Sequence, residues 1–129
     1  MEKSFEYAVL IVNFTKNLRA MEIDRSLVSQ FIRSGTSIGA NIEEAVGAAS
    51  KKDFINKLNI AFKEARESSF WLKLLKTTDF LSEADFTKLN SKNTELLKML
   101  YTSIKKAKNN KLNESRYFTI LFILYSLSF

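Results

Sequence analysis

The sequence contains no histidine and no cysteine, and these two absences remove most of the side chains that catalyse reactions or bind transition metals. Histidine is the commonest general base and metal ligand, and cysteine supplies thiolate ligands and disulfide bonds. Both absences argue against a nucleophilic triad, a thiolate metal site and a histidine-dependent ribonuclease. We therefore expect a protein that is not an enzyme, with no catalytic residues, no metal and no cofactor.

Proline is also absent, and glycine occurs only three times in 129 residues. Strands are usually separated by turns rich in glycine and proline, so this composition favours a protein built from helices. The length corresponds to one domain with a hydrophobic core of its own. The amino end lacks the apolar core of a secretory signal, and together with the missing cysteine this favours a cytoplasmic location.

Four segments carry apolar residues three and four positions apart, which is the spacing of amphipathic helices. Joined by short connections, they predict helices near residues 5–20, 26–48, 51–78 and 83–108. Short connections favour antiparallel neighbours, so we expect an all-α, antiparallel up-down-up-down four-helix bundle over residues 1–110.

Residues 111–129 form an apolar C-terminal tail, and its last part, 117–129, carries no charge. As a helix that last part would span about 20 Å, which is short of the ~30 Å hydrocarbon core of a bilayer. We therefore expect no membrane span. We expect the tail to pack on its own bundle or on a neighbouring subunit, because an exposed apolar segment favours aggregation.

The second predicted helix contains two glycines, Gly35 and Gly39. Each glycine inside a helix costs roughly 1 kcal/mol relative to alanine. A close approach between helix backbones would offset that cost. Gly47, near the end of the same helix, predicts a left-handed C-terminal cap.

A tight turn between the second and third helices would make them an antiparallel hairpin, in which residues equally distant from the turn face each other. This count predicts a salt bridge between Arg33 and Glu64, and it places Glu44 beside Asp53 or Lys57. We interpret the polar residues along this pairing as a structural seam that sets helix register, formed by Ser37, Asn41, Glu44, Glu64 and Glu67.

A metal site built from Glu44, Glu64 and Glu67 is the enzymatic alternative for the same polar residues. Carboxylate bundles that hold metals also use Glu-x-x-His pairs, and this chain has no histidine. The structural seam is therefore the favoured interpretation.

The chain carries twenty basic and fourteen acidic residues, which give a net charge of +6 and a pI near 9.6. Residues 86–111 hold seven lysines and a single acid, Glu95, so much of the excess charge lies on the fourth helix. Such a stripe predicts binding to the phosphates of RNA or DNA, while the ordinary alternative is a solvated lysine surface. The residues predicted to bind nucleic acid are Lys88, Lys92, Lys98, Lys105 and Lys106. Arg33, Lys51 and Lys52 are secondary candidates.

Three apolar residues of the third helix, Ile60, Trp71 and Leu74, point away from its predicted inner face. They predict either an interface between subunits of a homo-oligomer or a contact with a protein partner. The first helix is apolar on two faces, which also suits partial burial between subunits.

Several stretches of the chain resemble one protein family. These are RSGTSIGANIEE at residues 33–44, SKKDFI at 50–55, and EARESSFWL at 64–72, the last in the form that one branch of the family uses. The pattern is similar to that of the 23S ribosomal-RNA intervening-sequence proteins, and it covers roughly residues 5–108. Many members have glycine where this chain has Ala45, which is a mild departure because alanine is also small.

The resemblance implies a four-helix bundle that assembles into a ring-like homo-oligomer, expected to be a pentamer. Some genes of the family lie inside intervening sequences of ribosomal RNA genes. A related branch serves as the accessory protein of diversity-generating retroelements, where a basic barrel engages reverse transcriptase and nucleic acid. The resemblance therefore implies either a non-enzymatic nucleic-acid-binding oligomer, with RNA favoured, or a scaffold that docks on a protein such as a reverse transcriptase. It supplies no catalytic residues.

Overall fold

The structure is a computed structural model that describes residues 2–109, 120, 122 and 123. These residues contain helices and no strand, as the composition predicts. The four helices are α1 (Lys3–Leu18), α2 (Arg25–Val46), α3 (Lys51–Thr77) and α4 (Glu83–Lys108). The predicted all-α class and the positions of the four helices are confirmed, with differences of one or two residues at most ends.

The N-caps of α3 and α4 are serines. Ser50 accepts a hydrogen bond from the Asp53 N–H at 3.1 Å and Ser82 accepts one from the Asp85 N–H at 3.1 Å, as expected of N-caps. At the start of α2 the cap is Asp24, whose carboxylate accepts a hydrogen bond from the Ser26 N–H at 2.7 Å. The hydrogen bonds from Ser26 lower the pKa of Asp24, so this cap is charged at neutral pH.

The helix C-termini differ from the prediction. Gly47 ends α2 with a φ of −87°, so the predicted left-handed cap at this glycine is wrong. Among the described residues a left-handed φ, of 63°, occurs at Asp79, just beyond α3. The N–H of Phe80 bonds the carbonyl of Leu75 at 2.9 Å and the N–H of Asp79 bonds that of Lys76 at 3.1 Å. These two bonds form a Schellman motif with an aspartate at the position that usually holds glycine.

The contacts between neighbouring helices show that each helix is antiparallel to its neighbours in the bundle. Along each pair, residue numbers that rise on one helix meet falling numbers on the other. The pairs that show this are Arg33–Glu64 and Glu44–Lys57 between α2 and α3, Lys3–Glu95 and Glu6–Lys92 between α1 and α4, and Ser69–Asn93 and Lys76–Glu83 between α3 and α4.

The core lies along the bundle axis and draws on every helix. Its largest fully buried side chains include Tyr7, Ile11, Phe31, Phe54, Leu72, Leu96 and Leu100. Ile120 is also buried and joins this core, whereas the predicted packing of most of the apolar tail lies outside the described residues. Within the described residues, no helix combines the length and hydropathy that a membrane span requires.

The two helical glycines are not equivalent. A Cβ added at Gly35 would lie 2.9 Å from Cγ1 of the fully buried Ile11, so α1 and α2 approach closely there. A Cβ at Gly39 would meet Ser4 Oγ at 3.4 Å, which is an ordinary van der Waals contact. Close approach therefore accounts for Gly35 and not for Gly39.

Candidate nucleic-acid interface

Arg33 is the centre of the salt bridges between α2 and α3. Its guanidinium donates to both carboxylate oxygens of Glu64, at 3.0 and 3.1 Å, and to Glu67, while its Nε donates to Gln30 at 3.1 Å. These carboxylates, Glu67 first, raise the pKa of Arg33, and the bond from Arg33 lowers the pKa of Glu67. The predicted Arg33–Glu64 salt bridge is confirmed, and Arg33 is held inside the protein's own ion network.

The other residues predicted to form the polar seam divide into two groups. Glu44 pairs with Lys57 across the helix pair at 2.6 Å. Ser37 and Asn41 instead bond carbonyls of their own helix: Ser37 Oγ donates to the Arg33 carbonyl at 2.5 Å and Asn41 Nδ2 to the Ser37 carbonyl at 2.8 Å. The bonds between α2 and α3 thus come from charged side chains. Within the described part of the chain, no three acidic side chains converge as a metal site would require.

The five lysines predicted on α4 divide between two sides of the helix. Lys92 donates to Glu6 of α1 at 3.1 Å, so it points towards α1, and Lys88 and Lys106 lie at helical spacings on the same side. Lys98 and Lys105 lie on the outer side, where both are exposed. Three further residues were predicted as secondary candidates for binding nucleic acid. Lys52 is exposed, Lys51 is partly buried at the start of α3, and Arg33 is paired as described.

A second basic stripe lies on α3, the helix that packs against α4. Four exposed residues of α3 follow a 3-4-3 spacing, and they are Lys63, Arg66, Phe70 and Lys73. Four exposed residues of α4 follow the same spacing, and they are Lys98, Tyr101, Lys105 and Lys108. Residues at this spacing share one side of a helix. We call these eight residues the α3–α4 face.

The packing of α3 against α4 places the two stripes one after the other along the bundle axis. The amide of Asn93 on α4 donates to the Ala65 carbonyl at 2.9 Å and to Ser69 Oγ at 2.7 Å, so these residues mark the contact between the helices. Arg66 and Lys73 lie one turn on either side of Ser69. Tyr101 lies two turns beyond Asn93 on the same flank of α4. The Ser69–Asn93 and Lys76–Glu83 contacts set Lys98 at about the level of Lys63, so the two stripes follow each other along the same groove.

The acidic side chains of α3 and α4 lie outside the α3–α4 face, and most of them have partners. Glu64 and Glu67 face Arg33 of α2, and Glu95 pairs with Lys3 of α1. At the far end Glu83 pairs with Lys76 at 2.9 Å, and Asp85 lies in the cap of α4 with Ser82. By contrast, the six cations of the α3–α4 face make no ion pair with any residue that the structure describes. The result is a surface of one charge sign.

The predicted interface residues lie on the α2 side of α3. Ile60 is exposed, whereas Trp71 and Leu74 are partly buried. The indole N–H of Trp71 donates to Glu67 Oε1 at 3.1 Å, so this side chain belongs to the network around Arg33. Their role in an interface stays a prediction.

Sequence reasoning missed the cations of α3 and both exposed aromatic residues of the α3–α4 face. Their 3-4-3 spacing was present in the sequence, but it was less evident than the lysine-rich composition of α4. Pairing the outer stripes of two helices predicted to be antiparallel neighbours would have found them.

Four antiparallel helices with an apolar core and a basic outer surface define a small four-helix bundle. The family model of the 23S rRNA-intervening sequence protein matches residues 1–102, and the chain belongs to this family. It is similar to a protein of unknown function from the S23 ribosomal protein family of Bacteroides thetaiotaomicron, solved at 1.70 Å resolution. The two are 48% identical with a TM-score of 0.77, over 80% of this chain and 95% of the other. A comparison with curated proteins finds no match. The family predicted from the sequence is confirmed.

Proposed function

We propose that the protein is a non-enzymatic homo-oligomer of the cytoplasm that binds nucleic acid, RNA in preference to DNA, through its basic outer surface. The observation that carries the proposal is the α3–α4 face, where six cations lie together without a carboxylate partner among the described residues. Unpaired cations on a surface of one sign attract phosphates and gain free energy by releasing the counterions that the phosphates hold. Such binding depends on backbone charge and falls steeply with salt.

Assembly would strengthen this binding, and α1 offers a surface for it. Phe5 is 57% exposed and Val12 is exposed on the same side of α1, with Val9 partly buried between them. A second copy of the chain would cover this apolar stripe and bring several α3–α4 faces onto one particle, so that the modest affinity of each face is multiplied. We expect the ring to be a pentamer. Light scattering on the purified protein measures the oligomer, and a monomer at all concentrations would contradict this part of the proposal.

Nucleic-acid binding is tested by fluorescence anisotropy with a labelled RNA at several salt concentrations. The double variant Lys98→Ala/Lys105→Ala removes two cations from the face. Its affinity for RNA should fall by about ten-fold at low salt. The slope of log K against log salt should shrink by about 0.7 for each phosphate that the variant no longer neutralises.

The matched control removes two exposed cations elsewhere, Lys16 of α1 and Arg19 just after it. The variant Lys16→Ala/Arg19→Ala changes the net charge equally, so it should change the affinity much less than the face variant does. No retained RNA at low salt, or equal losses in both variants, would overturn the proposed interface.

Docking on a protein partner such as a reverse transcriptase is the alternative proposal, favoured by the exposure of Ile60 beside the Trp71 network. A pull-down with Ile60→Ser and Trp71→Ala variants, each checked for unchanged oligomer size, tests it. If both variants still capture the partner as the wild type does, this surface is not the docking site.

A further inference from the structure

Each basic stripe of the α3–α4 face contains one large aromatic side chain. Phe70 on α3 is 57% exposed and Tyr101 on α4 is 59% exposed. Phe70 lies between Arg66 and Lys73 in its stripe, and Tyr101 lies between Lys98 and Lys105 in the other. The two stripes thus repeat one arrangement, a ring flanked by cations on both sides.

The rings are set apart along the bundle axis. The Ser69–Asn93 and Lys76–Glu83 contacts place Tyr101 at about the level of residue 59 on α3. Eleven residues separate that level from Phe70, so the rings stand about 16 Å apart along the axis at 1.5 Å per residue. This length corresponds to about five stacked nucleotides at ~3.4 Å each.

The packing of the described bundle leaves more than half of each aromatic side chain uncovered. Phe70 meets Trp71 edge to face, with ring centroids 5.0 Å apart, and Trp71 is held by its bond to Glu67 at 3.1 Å. This contact supports one side of the Phe70 ring and leaves more than half of the side chain open. Tyr101 makes no hydrogen bond with another described residue, although its hydroxyl group is available. Packing within the bundle therefore does not explain the exposure of either ring.

We propose that the α3–α4 face binds single-stranded nucleic acid, with bases stacked on Phe70 and Tyr101 and phosphates on the flanking cations. This inference rests on the proposed function and specifies its ligand. Stacking on an aromatic side chain requires a base whose face is free, and a duplex buries those faces within its own stack. Cations alone would bind duplex and single strand by charge, so the two rings supply the discrimination between them.

The test measures binding of a single-stranded RNA of about 12 nucleotides, which is long enough to reach both rings. The duplex of the same sequence and heparin serve as polyanions without free bases. Phe70→Ala and Tyr101→Ala should each weaken binding of the single strand by about ten-fold, at an unchanged salt slope, and leave duplex and heparin binding within about two-fold. Phe70→Trp and Tyr101→Phe retain a ring and should bind the single strand as the wild type does.

Met21→Ala provides the control, since Met21 is an exposed large apolar residue that lies outside the face and outside the apolar stripe of α1. Circular dichroism and oligomer size are measured for every variant. If the alanine variants bind the single strand normally while Lys98→Ala/Lys105→Ala does not, the stacking inference is overturned and the proposed function stands. Equal losses of affinity for the single strand, the duplex and heparin would also overturn stacking, because they would show that the substitutions changed the arrangement of the cations. Failure of the wild type to bind any RNA at low salt would overturn the proposed function itself.

Discussion

The hydroxyl group of Tyr7 on α1 lies 2.7 Å from the Oγ atom of Ser68 on α3, and both side chains are fully buried. The next residue of α3, Ser69, accepts a hydrogen bond from the buried Asn93 of α4 at 2.7 Å. Two consecutive serines therefore connect α3 to two other helices by polar contacts inside an apolar core. Sliding α3 by one turn would leave these groups unpaired, so the contacts favour a single register.

Removing the Ser68 hydroxyl should destabilise the protein. The variant Ser68→Ala leaves the Tyr7 hydroxyl buried without a partner, which costs about 1–3 kcal/mol of unfolding free energy. Urea denaturation measures the loss. In the double variant Tyr7→Phe/Ser68→Ala both polar groups are gone, so its loss should be smaller than the sum of the single losses. Ser91→Ala, at an exposed position of α4, is the control. A Ser68→Ala loss no larger than that control would contradict the argument.

Alkaline pH should weaken the fold through the same tyrosine. Burial raises the pKa of Tyr7 above its usual value of about 10, and the bond with Ser68 opposes this only in part. Above about pH 10 the unfolded chain releases the phenol proton while the folded chain keeps it, so the unfolding free energy falls as pH rises. Denaturation at several alkaline pH values should show a steeper fall for the wild type than for Tyr7→Phe, by up to about 1.4 kcal/mol per pH unit. Parallel curves would show that the pKa of Tyr7 is the same in the folded and the unfolded chain.

Much of this fold was predictable because its determinants are local. Apolar spacing located the four helices, and counting from the α2–α3 turn located the Arg33–Glu64 and Glu44–Lys57 pairs. The sequence also predicted that Ser37 and Asn41 belong to a polar seam that sets the register of the two helices. Short polar side chains in a helix reach the carbonyl four residues earlier more easily than a neighbouring helix, and both side chains do so.

The candidate site was less predictable because it depends on the rotation of two helices about their axes. Sequence composition drew attention to five lysines of α4 as one group, yet Lys92 turns to Glu6 of α1 and Lys98 turns outward. The cations of α3 and the two exposed rings join the site only once α3 and α4 are paired. Such a relation between distant segments follows from core packing and not from any one stretch of sequence.

Gly35 should not tolerate a larger residue, whereas Gly39 should. Alanine at either position gains about 1 kcal/mol of helix propensity. At Gly35 the new methyl group lies 2.9 Å from Cγ1 of the buried Ile11, and overpacking of this kind costs about 1–3 kcal/mol. Thermal unfolding should therefore show Gly35→Ala destabilised by about 1 kcal/mol and Gly39→Ala neutral or slightly stabilised. Equal shifts in the two variants would show that α1 and α2 do not approach closely at Gly35.

Replacing Asp79 with glycine should stabilise the protein. Its φ of 63° places an L-residue in the left-handed region, where a Cβ is unfavourable and glycine is not. We expect Asp79→Gly to stabilise the protein by about 0.5–1 kcal/mol, seen as a rise in Tm of about 3 °C. Asp79→Ala loses the aspartate charge equally but keeps a Cβ, so it should not share the gain. A rise in both variants would attribute the effect to charge and not to backbone conformation.

Acid should weaken the contact between α2 and α3 at Glu67. The bond from Arg33, more than the bond from Trp71, lowers the pKa of Glu67 below its usual value. Its contribution to stability is therefore present above the unfolded-state pKa near 4.3 and is lost as pH falls through the folded-state pKa. Because the pair is partly exposed, Glu67→Gln should cost only about 0.5–1 kcal/mol at neutral pH. Below the lowered folded-state pKa the difference from the wild type should disappear, since the wild-type carboxylate is then protonated in both states. Glu22→Gln, at an exposed acid without an ion pair to any described residue, should change stability little at either pH, and a Glu67→Gln curve parallel to that of the wild type would show that Glu67 is not coupled to folding.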